Sequence, residues 1–307
     1  MSKPVTFGIT GYNFPPGEVV NLAQGLEDVG FESLWWGEHY VIPGQVETLH
    51  PTGEGKHNVR ILSNKTRLYD LYCLLGAVAA STKRLKLGSG ITILPLNPPL
   101  LLARSTATLY DVADGRFLLG TGAGWAIEEF EALGVPFKER GSRLDETIEI
   151  LRKAWKGGFF EHRGKHFSFG SVQITPHATP VPVITGGNSP AAMRRAAAMG
   201  DGWINSAKIE LDDLLRLRDE IETQRVKLGT SGRNFEYYVR PMNMQDASVQ
   251  AFIDAGFNNI LITLSVDDQN DNAGLGKAVW SPDPSISLAA KRARLKEVAD
   301  QIGVGKR

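Results

Sequence analysis

The chain has 307 residues, 42% of them hydrophobic, enough to bury a sizeable core and a length that α/β barrels reach within one domain. Lys plus Arg number 34 and Asp plus Glu number 34, a formal net charge of zero, which excludes a broad basic footprint for nucleic acid or an acidic membrane surface. A single cysteine, Cys73, excludes an internal disulfide and a cysteine metal cluster, and no apolar run reaches the roughly 18 residues of a membrane span. Cys73 lies in the apolar run Leu71–Ala80 and reads as a small buried helix residue. The opening MSKPVTFGIT runs straight into a strand pattern with no basic head and apolar signal core, so a cytoplasmic protein is expected.

In chain order, Val5–Ile9 reads as a first strand and Gly17–Val29 as an amphipathic helix. Ser33–Gly37 is a second strand, Leu68–Ser81 a helix, Leu85–Ser89 a third strand and Pro99–Ala113 a helix. Arg116–Thr121 is a fourth strand, followed by helices over Ala126–Leu133 and Ser142–Trp155, the latter with Ser142 as its cap. Val181–Thr185 is a fifth strand before a helix over Pro190–Met199, and Gly202–Asn205 a sixth before Asp212–Leu228. Phe235–Val239 and Asn259–Thr263 are the seventh and eighth strands, with helices over Ala247–Ala255 and Ile286–Ile302 after them. The strands are apolar throughout rather than alternating, which suits a parallel sheet covered on both faces. A doubly wound open sheet gives the same alternation, but a count of eight points to a closed (β/α)8 TIM barrel, an α/β fold spanning 1–307 as one domain. Insertions follow strands 2, 4 and 8: the polar Tyr40–Thr66 with His50, Gly53, Gly55 and His57, a hairpin over Gly157–Thr175, and the Asp/Asn-rich Val266–Pro284. Inserts after barrel strands fall at the catalytic face, so the first and third are candidate gating loops; inert surface loops are the plain alternative.

Four segments carry chemistry. After the fifth strand, Gly186-Gly187 lets a ligand approach the backbone, and Asn188 or Ser189 can cap a helix with Pro190 at its first position, an anion site or an ordinary capped turn. After the fourth, Gly120, Gly122 and Gly124 alternate before Trp125; a dinucleotide fingerprint is rejected because its third glycine is absent. These glycines would clear space for a flat ring or its phosphate arm, and Trp125 can wall a pocket or sit in the core. Glu38 and His39 end the second strand, and alternation lets only one of them enter the barrel mouth, where histidine can donate or accept a proton. Gly88 and Gly90 in the third strand mark a bulge, a close ligand approach or an early strand end. No HxH or HExxH pattern and no GxSxG elbow occurs, so no metal is expected; His162 and His166 read as solvated, as do Arg140 and Arg143.

The stretches SLWWGEHYVIP, RLKLGSGITILPLNPPLLLARSTATLYDVADGRFLLGTGAGW, EEFEALGVPFKERGSRLDETIEILRKAW and VPVITGGNSPAAMRRAAAMGDGW, in this order, resemble the luciferase-like superfamily of flavin- and deazaflavin-dependent oxidoreductases. The resemblance runs nearly end to end and is nearest to the short group described as coenzyme F-420-dependent. It implies a TIM barrel that binds F-420 or FMN and forms a homodimer, with no nucleic-acid partner. It implies that His39 lines the reactive face of the ring and that Gly90–Ile91 forms a non-proline cis peptide bracing the ring from behind. It implies that Gly186, Gly187, Asn188 and Ser189 hold the phosphate and that Gly122, Gly124 and Trp125 border the cofactor. The resemblance departs at Trp125, where some deazaflavin dehydrogenases carry a catalytic glutamate.

The expected function is an oxidoreductase, with His39 and Trp125 as the catalytic candidates, acting on a small organic molecule. With F-420 the ring would exchange hydride; with FMN it would activate oxygen for a monooxygenase. The rivals are a non-redox barrel enzyme, an aldolase or hydrolase for which Lys208 is the strand-end lysine to test, and a flavin-binding protein without turnover.

Overall fold

The structure is a computed structural model that describes residues 3–48, 66–242, 244–264, 275 and 279–305. It begins with β1 (Thr6–Gly11), α1 (Pro16–Val29), β2 (Ser33–Trp36), α2 (Leu71–Ser81), β3 (Lys86–Ser89), β4 (Thr92–Ile93) and α3 (Pro99–Val112). Next come β5 (Phe117–Gly122), α4 (Ile127–Ala132), α5 (Arg140–Ala154), β6 (Phe160–Arg163) and β7 (Ser168–Val172). The chain continues with β8 (Val183–Gly186), α6 (Pro190–Met199), β9 (Gly202–Ile204), α7 (Leu211–Lys227), β10 (Glu236–Val239), α8 (Asp246–Asp254), β11 (Asn259–Thr263) and α9 (Leu288–Ile302).

Nine strands form one sheet in the order β3-β2-β1-β11-β10-β9-β8-β5-β4, and pairing of β3 with β5 closes it. Every pairing in this sheet is parallel, as short apolar strands separated by helices require. The two-residue β4 pairs with the far end of β5 where β3 has ended, so the barrel has eight strand positions, the (β/α)8 closure expected. Side chains from six of its strands fill its interior: Trp35, Leu118, Ile184, Ile204, Tyr238 and Leu261 form one cluster. A larger apolar layer lies between strands and helices, including Leu22, Leu26, Leu74, Leu75, Val78 and Leu151. The segment between β5 and β8 holds α4, α5 and the antiparallel β6–β7 hairpin. His50, Gly53, Gly55 and His57 of the insert after strand 2, and most of Val266–Pro284, lie outside the described residues.

Several local expectations are corrected. Cys73 is exposed: Leu71, Leu74, Leu75 and Val78 take the core stripe of α2 at helical spacing, which turns position 73 outward. Its N–H is instead bound by the N-cap Asp70 at 2.7 Å. Helix α5 starts at Arg140 rather than Ser142, because a 3-10 turn over Phe137–Glu139 leads into it. Ser142 is therefore inside the helix and its Oγ donates to Glu139 O at 3.1 Å. His162 and the His166 side chain are buried, not solvated, because the hairpin folds back onto α5. Glu146 ties it there, accepting the N–H groups of His166 and Phe167 at 2.9 and 2.8 Å with His162 Nε2 at 3.0 Å. Among the described residues no helix is long and apolar enough to cross a membrane.

Candidate active site

At the C-terminal ends of the strands lies a cavity of about 1020 Å³. That is the upper end of the range for small-molecule sites. All ten site candidates read from the sequence line it: His39, Gly90, Ile91, Gly122, Gly124, Trp125, Gly186, Gly187, Asn188 and Ser189. They come from the ends of four neighbouring strands, β2, β3, β5 and β8, and the loops after them, so closure of the barrel is what brings them together.

The turn after β8 opens onto the cavity. Gly187 has φ +113°, a left-handed conformation that favours glycine, and a Cβ there would come within 3.0 Å of the Ala192 Cβ. Ser189 caps α6 by accepting the Ala192 N–H at 3.2 Å, and Pro190 takes the first helical position. Asn188 does not cap; its Oδ1 accepts the Ser206 N–H at 3.0 Å and binds the turn to the loop after β9. Trp203 Nε1 holds Gly187 O at 2.8 Å. The Gly187 N–H is already given to Ile204 O at 3.2 Å, so an anion here would meet the N–H groups that follow it, at the open first turn of α6.

The glycines of β3 and β5 have a different use from the one expected. A Cβ on Gly88 would sit 2.1 Å from the Trp35 indole, so this glycine makes room for the barrel's own tryptophan. Cβ atoms on Gly122 and Gly124 would strike Ile91 Cδ1 at 1.9 Å and the Phe130 ring at 2.7 Å. A Cβ on Gly186 would press Ile91 Cγ2 at 3.3 Å. The space left by Gly122 and Gly186 is filled by Ile91, which thereby stands as a shelf on the cavity wall. The Gly90–Ile91 peptide bond is cis.

After the neighbouring strand β2, Glu38 and His39 both face the cavity, since strand alternation ends with Trp36. His39 Nδ1 lies 3.0 Å from Glu129 Oε2, and Glu129 is fully buried at the start of α4. Glu129 Oε1 accepts the Tyr40 N–H at 2.6 Å. A carboxylate only accepts, so it fixes the proton of His39 on Nδ1 and leaves Nε2 for chemistry. Trp125 packs edge-on to the imidazole with ring centroids 6.0 Å apart.

Glu38 is buried beside the Tyr40 hydroxyl. Asn97 Nδ2 donates to Ile93 O at 2.9 Å, which turns Asn97 Oδ1 towards that hydroxyl 2.7 Å away. The hydroxyl has one proton to donate, to Asn97 Oδ1 or to Glu38 Oε2 at 3.0 Å. Burial pushes the Glu38 carboxyl up to about 8, and the nearby Asp70 and Glu129 act in the same sense. Among the described residues no group of three or more His, Cys, Asp or Glu could hold a metal ion.

Reading the sequence did not single out Glu129 or Arg240. Glu129 sits in the acidic start of a helix, where solvated charge is the common reading, and its pairing with His39 spans 90 residues. Arg240 left a signal: a charged residue directly after the apolar strand FEYYV. Lys208, singled out as a strand-end lysine, also lines the cavity.

Comparison with known proteins places this architecture. An uncharacterised protein of Mycobacterium tuberculosis is 30% identical over 250 residues, covering 80% of this chain and 85% of that protein. The F-420-dependent glucose-6-phosphate dehydrogenase of Amycolatopsis mediterranei is 25% identical over 311 residues, covering 97% of this chain and 79% of its own length. The coenzyme F-420-dependent tetrahydromethanopterin reductase of Methanopyrus kandleri shares the fold at a TM-score of 0.72 and 16% identity, over 99% of this chain and 100% of the other. The luciferase-like monooxygenase family matches residues 3–251, and the chain belongs to that family.

Proposed function

We propose that the chain is an oxidoreductase that uses the deazaflavin coenzyme F-420 to exchange hydride with a small organic substrate. The observation that carries the choice of cofactor is the surplus of cations beyond the α6 turn. Lys138 and Arg140 line the cavity there without a carboxylate partner among the described residues, beside Arg195, which pairs with Asp145. FMN ends in one phosphate, which the open turn alone can satisfy. F-420 continues past its phosphate into a tail of glutamyl carboxylates, and the extra cations fit that longer anion. The F-420 dependence of the Amycolatopsis and Methanopyrus proteins supports the same choice.

The residues present fit such a group: an open helix turn for the phosphate and the Ile91 shelf to back a flat ring. When bound, the deazaflavin supplies the hydride chemistry. The chain supplies the rest. His39 Nε2 gives or takes the proton of a substrate hydroxyl or carbonyl, and Glu129 holds the imidazole in the required tautomer. Trp125 limits the ring's rotation from the side. Glu38, whose carboxyl burial pushes up to about 8, adds less repulsion against an anionic ligand than an ordinary carboxylate would. The family's monooxygenase description favours a second reading, in which FMN occupies the same turn and shelf.

The test is a comparison of F-420 with a form shortened to remove its glutamates, each binding followed by cofactor fluorescence. Wild type is expected to bind the full-length form about three- to tenfold more tightly, as two half-exposed ion pairs allow. A Lys138→Gln/Arg140→Gln double variant is expected to lose that margin. Equal affinities in wild type would withdraw the argument for the deazaflavin.

A further inference from the structure

The proposed function leaves one charged group in the cavity unexplained. Arg240 follows β10 directly and lines the cavity on the side away from the Ile91 shelf. Among the described residues its guanidinium makes a single hydrogen bond, from Nη2 to the backbone carbonyl of Asn205, and meets no carboxylate. Its Nε is sealed from solvent and has no acceptor, as is true of Arg116 Nε also. Arginines that serve structure in this protein are used differently. Arg116 spends its two terminal nitrogens on Thr82 Oγ1 and the carbonyls of Ala79, Thr82 and Leu85. Arg225 meets Glu222 and the carbonyls of Thr230, Ser231 and Arg233. A buried cation left with one bond out of five donors is costly unless an anion completes it.

Two neighbours share the deficit. Thr263, on the adjacent strand β11, lines the same cavity, and its Oγ1 is sealed from solvent without a partner among the described residues. Lys208, in the loop after β9, lines it as a second cation with no ion pair among the described residues. Burial alone lowers Arg240, to about 10, with no opposite charge to restore it.

We infer that Arg240, Thr263 and Lys208 form a binding site for an oxyanion, and that its occupant is the carboxylate or phosphate of the substrate. This rests on the proposed function, because the topology divides the mouth in two. The glycine-lined arc β3–β4–β5–β8 holds the shelf and the phosphate turn. The arc β10–β11–β1–β2 carries Arg240 and Thr263 at one end and His39 at the other. A substrate anchored by its anionic end at Arg240 would extend along that arc towards His39 Nε2. The substrate class is therefore a small organic acid or phosphate ester bearing a hydroxyl or carbonyl away from its anionic end.

The experiment is calorimetric titration of cofactor-loaded protein with benzoate and inorganic phosphate, with benzamide as a neutral control. At least one anion is expected to bind and benzamide not to. Arg240→Gln is expected to weaken anion binding by about tenfold or more, as loss of a charge-assisted bond does. Its affinity for F-420, read by fluorescence, is expected to stay within about threefold. Anion binding unchanged in Arg240→Gln, or absent from wild type, overturns the inference. Loss of cofactor affinity with anion binding intact also overturns it, assigning Arg240 to the cofactor's own anions. If Arg240→Gln does not fold, Thr263→Val decides: undiminished anion affinity in that variant overturns the site. Failure of wild type to bind F-420 at all would sink the proposed function instead, and the same titration of apoprotein would still read Arg240.

Discussion

The two ends of the barrel hold cavities of opposite character. At the N-terminal ends of the strands, a cavity of about 580 Å³ is ringed by charges that already have partners. Lys3 meets Glu236 at 2.5 Å, Lys86 meets Glu32 at 2.6 Å and Arg152 meets Asp201 at 2.8 Å. At the C-terminal ends, Arg240, Lys208, Lys138 and Arg140 have no carboxylate partner among the described residues, and Thr121 and Thr263 bury hydroxyls without one. The lower end is complete without a ligand and its exposed pairs add little, ~0–1 kcal/mol each. The upper end keeps polar groups unmet, a cost that a ligand can offset. The unpaired groups lie at the end of the barrel where barrel enzymes in general carry their active sites.

The largest effect that can break this contrast is at His39. His39→Ala is expected to cut turnover by about 10²- to 10⁴-fold, the range for loss of a general acid or base, with cofactor affinity nearly unchanged. Full turnover in that variant would remove the His39–Glu129 pair from the chemistry. Gly187→Val is expected to show the reverse split. A side chain at φ +113° and 3.0 Å from Ala192 should weaken cofactor binding by about tenfold or more, and a fluorescence titration checks it. Unaltered affinity would move the phosphate off this turn.

A smaller effect sharpens the contrast through Glu38. Its carboxyl is raised from 4.5 to about 8 in the folded chain, so between these values the folded state holds a proton that the unfolded state has released. Stability contributed by this group is full below about pH 4.5 and is lost as pH rises through about 8. Glu38→Gln should flatten that part of the dependence of melting temperature on pH. The same pH dependence in both proteins would show Glu38 to be an ordinary carboxylate. The smallest effect belongs to the lower end. Lys86→Ala removes one exposed pair and should change stability by less than ~1 kcal/mol and turnover not measurably, checked by thermal melting and a rate assay.

Those four positions also show what a sequence discloses. Strand β11 at Asn259–Thr263 and helix α6 at Pro190–Met199 were legible to the residue, because apolar runs bounded by glycine, proline and a serine cap are local signals. The Gly186-Gly187 turn and His39 were legible as ends of strands, the positions that become the mouth of a barrel. The start of α5 was not, since the 3-10 turn before Arg140 replaced the cap expected at Ser142. His162 looked solvated because nothing local announces that the hairpin folds onto Glu146. The Glu129–His39 pair and the absence of a carboxylate partner for Arg240 among the described residues are long-range facts that no local signal carries. Glycines at 88 and 122 read as room for a ligand or a ring, and the occupants are Trp35 and Ile91.

The most direct test of the central claim is a parallel titration of the purified protein with F-420 and with FMN, following each cofactor's fluorescence. The account predicts saturable binding of F-420, with FMN binding at least about tenfold more weakly, and loss of F-420 binding in Gly187→Val. Tighter binding of FMN would contradict the deazaflavin assignment and turn the same cavity towards oxygen chemistry. Binding of neither would contradict the reading of the β8 turn itself.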